Sequence, residues 1–420
     1  MQNSNRYNLV VVGGGLSGVA SAVSASRQGL KVLLIERSGA LGGAISNNLI
    51  YPFMKYWKYN EQLERLEFLS AGIFTEMRET ANSIEGGQSE MCFKPESFKR
   101  TLDKMVVDAG VNVLFHATVH SLKTDNDKIL SVNAYTKSGE MTFFADFFID
   151  ATGDGELINF ANCDYQLGRE SDNNCQPMTT CFRMSGVDLN KLKEDYSSLQ
   201  EKYKLLRASG AIKNPRENIL TMQGIGEGIL HLNTTRVVGL NPTDAFDISK
   251  AEIIAREQVY EIVDFLKANS TAFKNATVIS IANEIGVRES RKLKGLHVLT
   301  VDELKACTRF EDAIALGNYE IDIHNPSGTG TYLYYFKKDE VYSIPYRSLV
   351  PKEYVNLLVA GRCLSATHEA HSAVRIMPTC ACLGQAAGTA VAVAFKSNAN
   401  THTLDVQELR RVLKENGANI

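Results

Sequence analysis

An apolar, β-branched run, Leu9-Val10-Val11-Val12, meets three glycines without a break, and this junction constrains the fold more than any other stretch. The run has the length and composition of a strand buried on both faces of a parallel sheet. Gly13-Gly14-Gly15-Leu16-Ser17-Gly18 follows as G-x-G-x-x-G, after which Leu16, Val19, Ala20 and Val23 recur at the spacing of one helix face. A second strand is predicted over Lys31–Ile35, ending at Glu36, 18 residues beyond Gly18. Each part has a task in holding a dinucleotide. Gly13 permits the tight turn out of the strand, Gly15 lets backbone approach a pyrophosphate, and Gly18 lets helix and sheet pack closely. Free N–H groups at the helix start favour phosphate charge. Glu36 is placed to accept hydrogen bonds from ribose hydroxyls, and its charge disfavours a 2′-phosphate and hence NADP. G-x-G-x-x-G alone is weak evidence, because a glycine-rich turn in any βαβ unit can match it. Strand, helix, second strand and terminal acid in register make it specific.

The 420 residues suffice for two domains and a large core. Lys plus Arg number 45 against 48 Asp plus Glu, so no electrostatic nucleic-acid or membrane partner is expected. The N-terminal apolar run carries one arginine before it and breaks at glycines, so it reads as a strand and not as a signal peptide. No stretch reaches the ~18–20 consecutive apolar residues of a membrane span. Eight scattered cysteines read as reduced thiols in a cytoplasmic protein.

Along the chain, Arg37 to Ala44 forms a second glycine-rich loop, suited to backbone lying close to something flat or charged, such as a flavin ring or its phosphates, or to a flexible surface turn. Helices are predicted over Asn60–Met77 and Ser97–Ala109. The aromatics Tyr51, Phe53, Tyr56, Trp57 and Tyr59 suit either a substrate wall or plain packing. Val111–His116 reads as a strand, and Ala117–Leu122, Ile129–Thr136 and Met141–Ile149 as a β-meander running into Asp150-Ala151-Thr152-Gly153-Asp154-Gly155. Between 161 and 345 the alternation of strand and helix is lost. Pro177–Val187 and Gly228–Val238 read there as strands, Leu189–Ala208 and Ile248–Ala268 as helices, and Gly224–Gly228 as a turn. Strand-like Asn356–Ala360 then meets Gly361-Arg362-Cys363, and Pro378 opens a helix rich in small residues. The G-x-x-x-G from Gly384 to Gly388 fits close packing in a soluble core better than membrane pairing, because Gln385 lies inside it. The expected architecture is α/β: a Rossmann-like domain with a parallel sheet and β-meander from 1–160 and 346–420, and an inserted α+β substrate domain from 161–345.

These segments together resemble FAD-dependent oxidoreductases with a glutathione-reductase-like fold. The closer resemblance is to a branch named for one component of heterodisulfide reductase. It rests on Arg288-Glu289-Ser290-Arg291, on Val359 through Ala370, and on Arg375-Ile376-Met377-Pro378-Thr379-Cys380. The resemblance implies one tightly held FAD. Its adenosine and pyrophosphate would meet Gly13, Gly15, Leu16, Ser17, Gly18, Glu36 and Arg37, with Gly42, Gly43 and Ala44 near the pyrophosphate or flavin. Val119 would contact the adenine, with Ala151, Thr152 and Gly153 alongside. Gly361, Arg362, Met377, Pro378 and Thr379 would serve the flavin end, the helix N-terminus aimed at the edge where negative charge develops on reduction. Many relatives have Gly-Asp where this chain has Gly361-Arg362, which leaves Arg362 to face phosphate or substrate. No cysteine pair has the C-x-x-C or C-x4-C spacing of a dithiol centre, and no C-x2-C-x2-C run suits an iron–sulfur cluster, so neither chemistry is carried over.

The flavin supplies hydride or electron transfer; the protein supplies orientation and a proton donor or acceptor. His371, then His368, are the proton-transfer candidates, each equally readable as a buried loop-holding histidine. His368-Glu369-Ala370-His371 is one residue short of H-E-x-x-H, so no metal is expected. Arg375 lies beside them. Arg288 and Arg291, three apart, would share a face if helical and could clamp a carboxylate or phosphate, unless they pair with Glu284 or Glu289 or contact the cofactor. His231, Asn233 and Arg236 alternate on one face of an expected strand, which would lie over the flavin or face solvent. The expected function is hydride or electron transfer between FAD and a small organic substrate. The alternatives are an FAD-binding subunit serving an electron-carrier protein and a tRNA-modifying or cofactor-biosynthetic flavoprotein.

Overall fold

The computed structural model describes residues 5–61, 64–86 and 89–420. Strand β1 (Arg6–Val12) passes through the glycine turn into α1 (Leu16–Arg27) and returns as β2 (Val32–Ile35), parallel to β1 with Leu9 opposite Val32. A hairpin follows, β3 (Trp57–Asn60) and β4 (Arg65–Phe68), then α2 (Ile73–Glu85) and α3 (Pro95–Asp108). The helix expected over Asn60–Met77 is therefore corrected to a hairpin and a later helix; residues 62–63 of it lie outside the described set. Trp57 pairs with Phe68 and Tyr59 with Leu66 across the hairpin. Gly72, at φ +66°, precedes α2 directly against the Gln385 side chain, where a Cβ would collide. The aromatic run splits. Tyr51, Phe53 and Tyr56 are buried, with Phe53 packed on Phe74, Phe93 and Phe98, whereas Tyr59 is exposed.

Next come β5 (Asn112–Leu114) and the meander β6 (Thr118–Asp125), β7 (Lys128–Thr136) and β8 (Gly139–Asp150). The main sheet runs β5-β2-β1-β8-β7-β6. β8 is long enough to divide its outer edge. Its first half pairs antiparallel with β7, and Phe148–Asp150 pair in parallel with a strand from the far end of the chain.

Helix α4 (Glu156–Phe160) and β9 (Tyr165–Leu167) lead into a second layer: β10 (Phe182–Ser185), α5 (Leu189–Ala208), β11 (Thr221–Met222), β12 (Leu230–Leu232), α6 (Ala245–Asn269) and β13 (Thr277–Ile281). Asp188 and Asp244 cap the two helices by accepting from backbone N–H groups, as short acceptor side chains do. The sheet, ordered β11-β12-β10-β13, buries Phe182, Met184, Leu230 and Leu232 against α5 and α6 in its own core. Both strands predicted here shorten. Beyond Leu232 the ladder is interrupted: the Thr235 hydroxyl donates to the Thr180 carbonyl and accepts from its N–H, before Met178 and Val237 exchange backbone bonds again. The shared face expected for His231, Asn233 and Arg236 is corrected accordingly, since the strand ends before Asn233.

The chain then returns through β14 (Arg291–Leu293), α7 (Val301–Lys305), β15 (Ala313–Gly317), β16 (Ile321–His324), β17 (Thr331–Tyr334) and β18 (Tyr342–Pro345). Leu293, Ile314, Ile321 and Ile344 belong to the main core. The separate core thus draws on Phe182 to Ala276, and the later part of the expected insert packs with the nucleotide domain. Last come β19 (Leu357–Val359), which is the partner of β8, α8 (His368–Val374), α9 (Met377–Lys396) and α10 (Val406–Glu415). Helix α9 is long and apolar enough to cross a membrane, yet 89% of its apolar window is buried inside the protein.

α9 lies against α1 through the two glycines of its G-x-x-x-G. A Cβ at Gly384 would collide with the carbonyl oxygen of Ser17, and one at Gly388 with that of Ser21. The Ser21 hydroxyl bonds both the Ser17 and Gly384 carbonyls, at 2.8 and 3.0 Å. This contact seats the helix that carries Met377 beside the helix that follows the glycine turn. Gly388→Val should force the pair apart and destabilise the protein by about 1–3 kcal/mol or more. Urea unfolding of the variant checks this, and an unchanged midpoint would contradict the packing.

Candidate functional site

The two glycine loops meet first. Gly13 takes φ +102° where a side chain would strike the Ala151 carbonyl, and a Cβ at Gly18 would strike the Gly13 carbonyl. The Gly42 N–H donates to the Gly14 carbonyl at 2.8 Å, and a Cβ at Gly43 would sit 3.0 Å from the Gly15 Cα. Gly15 differs from these. A Cβ on it would meet no protein atom within 4 Å, because it borders a cleft of about 520 Å³. Of the residues expected to hold the cofactor, Gly13, Gly15, Leu16, Ser17, Glu36, Arg37, Gly42, Gly43, Ala44, Val119, Ala151, Thr152, Gly153, Gly361, Arg362 and Met377 all line this cleft. Gly18, Pro378 and Thr379 do not; they pack behind the wall.

Glu36 is buried at the cleft edge. One carboxylate oxygen accepts the Gly14 N–H at 2.6 Å and the other the Ser38 N–H at 2.7 Å. A carboxylate has about four acceptor positions, so this brace leaves capacity for ribose hydroxyls. The opposite wall comes from the second layer, through Ile248, Ser249 and Glu252 of α6 and through Glu284, Ile285 and Val287. Arg37 spans the gap and pairs with Glu284. It lines the cleft at the same time, where the adenosine end of the cofactor is expected.

Arg362 donates to Asp154 at 2.5 Å and packs over Gly153. Asp154 also accepts from the Ser290 hydroxyl at 2.7 Å, and its carbonyl accepts from Arg291 at 3.1 Å. Arg288 reaches the other way, to the Pro177 carbonyl at 2.6 Å and the Thr179 hydroxyl. The helix-face clamp expected for Arg288 and Arg291 is therefore corrected: their segment is extended, and neither guanidinium lines the cleft. Between them, Glu289 is wholly buried, bonded to Lys292 at 2.5 Å, His368 at 2.8 Å and the Gln176 N–H at 3.1 Å. Burial works against that carboxylate, but His368 and Lys292 prevail and hold it near 2.

His368 is thus bound into a buried ion cluster. His371 is also fully buried, and burial pushes its imidazole down to about 3. Its Nε2–H donates to the Arg362 carbonyl at 2.7 Å, which fixes the tautomer. Neither histidine lines the cleft, so both sit as loop-holding residues behind it. Arg375 alone of the catalytic candidates reaches the wall, where its carbonyl accepts from the Cys380 thiol.

Two acids escaped sequence reasoning. Asp150, at the end of β8, is wholly buried and accepts from the Thr152 hydroxyl, the Thr152 N–H and the Ile158 N–H, holding the Ala151–Gly155 turn in shape. Glu156 lines the cleft. Burial first, then the Asp150 and Asp154 charges, push its carboxyl up to about 7, with Arg37 and Arg291 pulling it down. The sequence signal for it is slight: three acids within seven positions, 150, 154 and 156, around a glycine turn.

The sequence model of a family described as FAD dependent oxidoreductase matches residues 8–413. The chain belongs to that family. The cradle fits its cofactor: backbone N–H groups and an open Gly15 at the pyrophosphate position, with an acid at the ribose position. FAD is the cofactor of this flavoprotein. Among curated relatives, a digeranylgeranylglycerophospholipid reductase of Methanocella arvoryzae is 25% identical over 197 residues, 44% of this chain and 48% of the relative. A thiamine thiazole synthase of Methanococcus vannielii is 28% identical over 174 residues, 39% of this chain and 63% of the relative. The flavoprotein's matches thus span from about half to under two thirds of these relatives' length. A solved geranylgeranyl bacteriochlorophyll reductase-like protein from Thermoplasma acidophilum covers 98% of this chain and 84% of its own, at 13% identity and TM-score 0.49. A p-nitrophenol 4-monooxygenase from Pseudomonas putida covers 97% and 85%, at 12% identity and TM-score 0.47.

Glu156 gives the flavoprotein a pH signature. A carboxyl raised from 4.5 to about 7 by folding keeps its proton in the native state while the unfolded chain releases it. Its contribution is therefore whole below about 4.5 and is lost as pH rises toward 7. Glu156→Gln should remove that slope from the stability of the FAD-free protein, as thermal unfolding across pH 4–8 would show. An unchanged slope would mean that Glu156 titrates normally.

Proposed function

We propose that this flavoprotein transfers hydride or electrons between its FAD and a small organic substrate admitted between the main sheet and the second layer. The observation that carries this reading is the cleft itself, walled by the glycine loops on one side and by α6 and Glu284–Val287 on the other. FAD, when bound, supplies the redox chemistry. The chain's residues bind and orient it: glycine backbones at the loops, Glu36 at the edge, Arg362 held by Asp154, and Arg375 with Met377 at the start of α9. Glu156 is the cleft-lining group placed to hold a proton near neutral pH. The relatives' names point to a lipid reductase and a thiazole synthase, so they do not converge on one substrate.

Within the family, Arg288–Arg291 and Val359–Ala370 support the heterodisulfide reductase-like branch, without its iron–sulfur or dithiol chemistry. The eight free thiols support a reducing, cytoplasmic setting. A second reading is an FAD-binding protein serving a separate electron carrier. It draws support from Tyr332, Leu333 and Tyr335, which stand exposed on and beside the β16–β17 hairpin.

Anaerobic mixing with a panel of small organic compounds tests the first reading. At least one should bleach or restore the flavin colour without a second protein; reaction only in the presence of an electron-carrier protein would favour the second. Gly15→Val should fold yet purify colourless, because its side chain enters the cleft and not the protein. A folded variant with full FAD content would contradict the cradle assignment.

A further inference from the structure

Strands β10 and β12 are amphipathic in an unusual sense. Phe182, Met184, Leu230 and Leu232 enter the second core, so by strand alternation Arg183 and His231, cross-strand partners, face the other way. That side is not solvent. Arg183 is 9% exposed and His231 is 0% exposed. The ring of Tyr51 packs edge-on against His231 at 5.5 Å, and Leu49, Ile50 and Cys181 pack together alongside.

Among the described residues, Arg183 Nε and Nη2 and both ring nitrogens of His231 are buried without a hydrogen-bond partner. These two guanidinium positions form the side edge that binds a carboxylate through two parallel hydrogen bonds. No described carboxylate of the protein fills it. Glu96, the acid whose charge reaches Arg183, instead pairs with Lys99 at 2.9 Å. A buried cation without a partner is costly, and a site that recognises an anion explains its retention. Neither Arg183 nor His231 lines the cleft itself, but residues 48–51 link the two places, because Tyr51 packs on His231. Asn48 lines the cleft, and Tyr51 follows three residues later, at most ~11 Å of extended chain away.

We propose that Arg183 and His231 form the carboxylate-binding end of the substrate site, so that the substrate is a small organic acid. The proposal rests on the flavin-oxidoreductase reading and narrows its substrate class. Arg183 supplies the paired N–H groups. His231, which burial and Arg183 keep neutral, supplies one further N–H from the neighbouring strand. Tyr51 closes the side toward the cofactor domain.

The test uses acetate, benzoate and succinate, their amides, and inorganic phosphate as probes. Two readouts are taken on the full chain: the unfolding temperature of the FAD-free protein and the perturbation of flavin absorbance in the holoprotein. At least one acid should stabilise the wild type, its amide should not, and Arg183→Gln should weaken that acid by about 10–100-fold. Arg183→Met, which removes a buried unpaired charge, should unfold at or above the wild-type temperature while losing the response. Equal responses to acid and amide, no response to any acid, preference for phosphate, or marked destabilisation of Arg183→Met would each overturn the proposal. The unfolding readout needs no turnover. An acid response in a protein that takes up no FAD would therefore sink the flavin reading alone, and an active flavoprotein indifferent to acids would sink this inference alone.

Discussion

Backbone packed on backbone is the contact from which the rest of the molecule follows. The loop after β1 and the loop after β2 approach until the Gly42 N–H meets the Gly14 carbonyl at 2.8 Å. Any side chain at Gly13, Gly18 or Gly42 would push something aside. Glu36 locks the arrangement by accepting one N–H from each loop, at Gly14 and Ser38. What remains uncovered is a row of backbone facing a cleft, with Gly15 open to it. The surface is thus complementary to phosphate because the fold has nowhere else to put those groups.

A second junction ties the far half of the chain to that cradle. Arg288 to Arg291 have the composition of catalytic equipment, yet each of the four residues makes an internal bond. Glu289 is the centre, with Lys292 and His368 against it in a wholly buried cluster. Removing one partner from such a cluster typically costs about 3–5 kcal/mol, because a buried charge is left unpaired. That strength suits a clasp better than a proton relay. Ser290 and Arg291 then reach Asp154, which holds Arg362 at the cleft wall. The positions of Arg362 and of the loop closed by His371 thus depend on a network lying behind the cofactor cleft.

The local signals in the sequence are legible where geometry is local. Turn glycines, the strand–helix–strand register of the first 36 residues, the meander, and α5 from Leu189 to Ala208 follow from periodicity and capping. The G-x-x-x-G is legible as a packing device, though its partner, the Ser17–Ser21 backbone, is not. What escapes depends on tertiary context. The hairpin at Trp57–Phe68 has a helical pattern, and only the packing of Gly72 on Gln385 shows where α2 begins. The histidines of α8 have reactive chemistry on paper, since sequence gives no measure of burial. Glu156 has the pattern of an ordinary turn acid, because its elevated carboxyl depends first on burial and then on Asp150 and Asp154 being folded around it. The polar face of β10 is hidden for the same reason: Arg183 becomes conspicuous only when no counter-ion is found beside it.

If the paired glycine loops and Glu36 hold the adenosine half of FAD, that half should supply much of the affinity. Fluorescence titration of the FAD-free protein with FAD and with FMN, which lacks that half, tests this most directly. Saturation is expected at one FAD per chain, with FMN weaker by about 100-fold or more, the worth of two or three charge-assisted hydrogen bonds at the cradle. FMN binding as tightly as FAD, or no saturable binding of FAD, would contradict it.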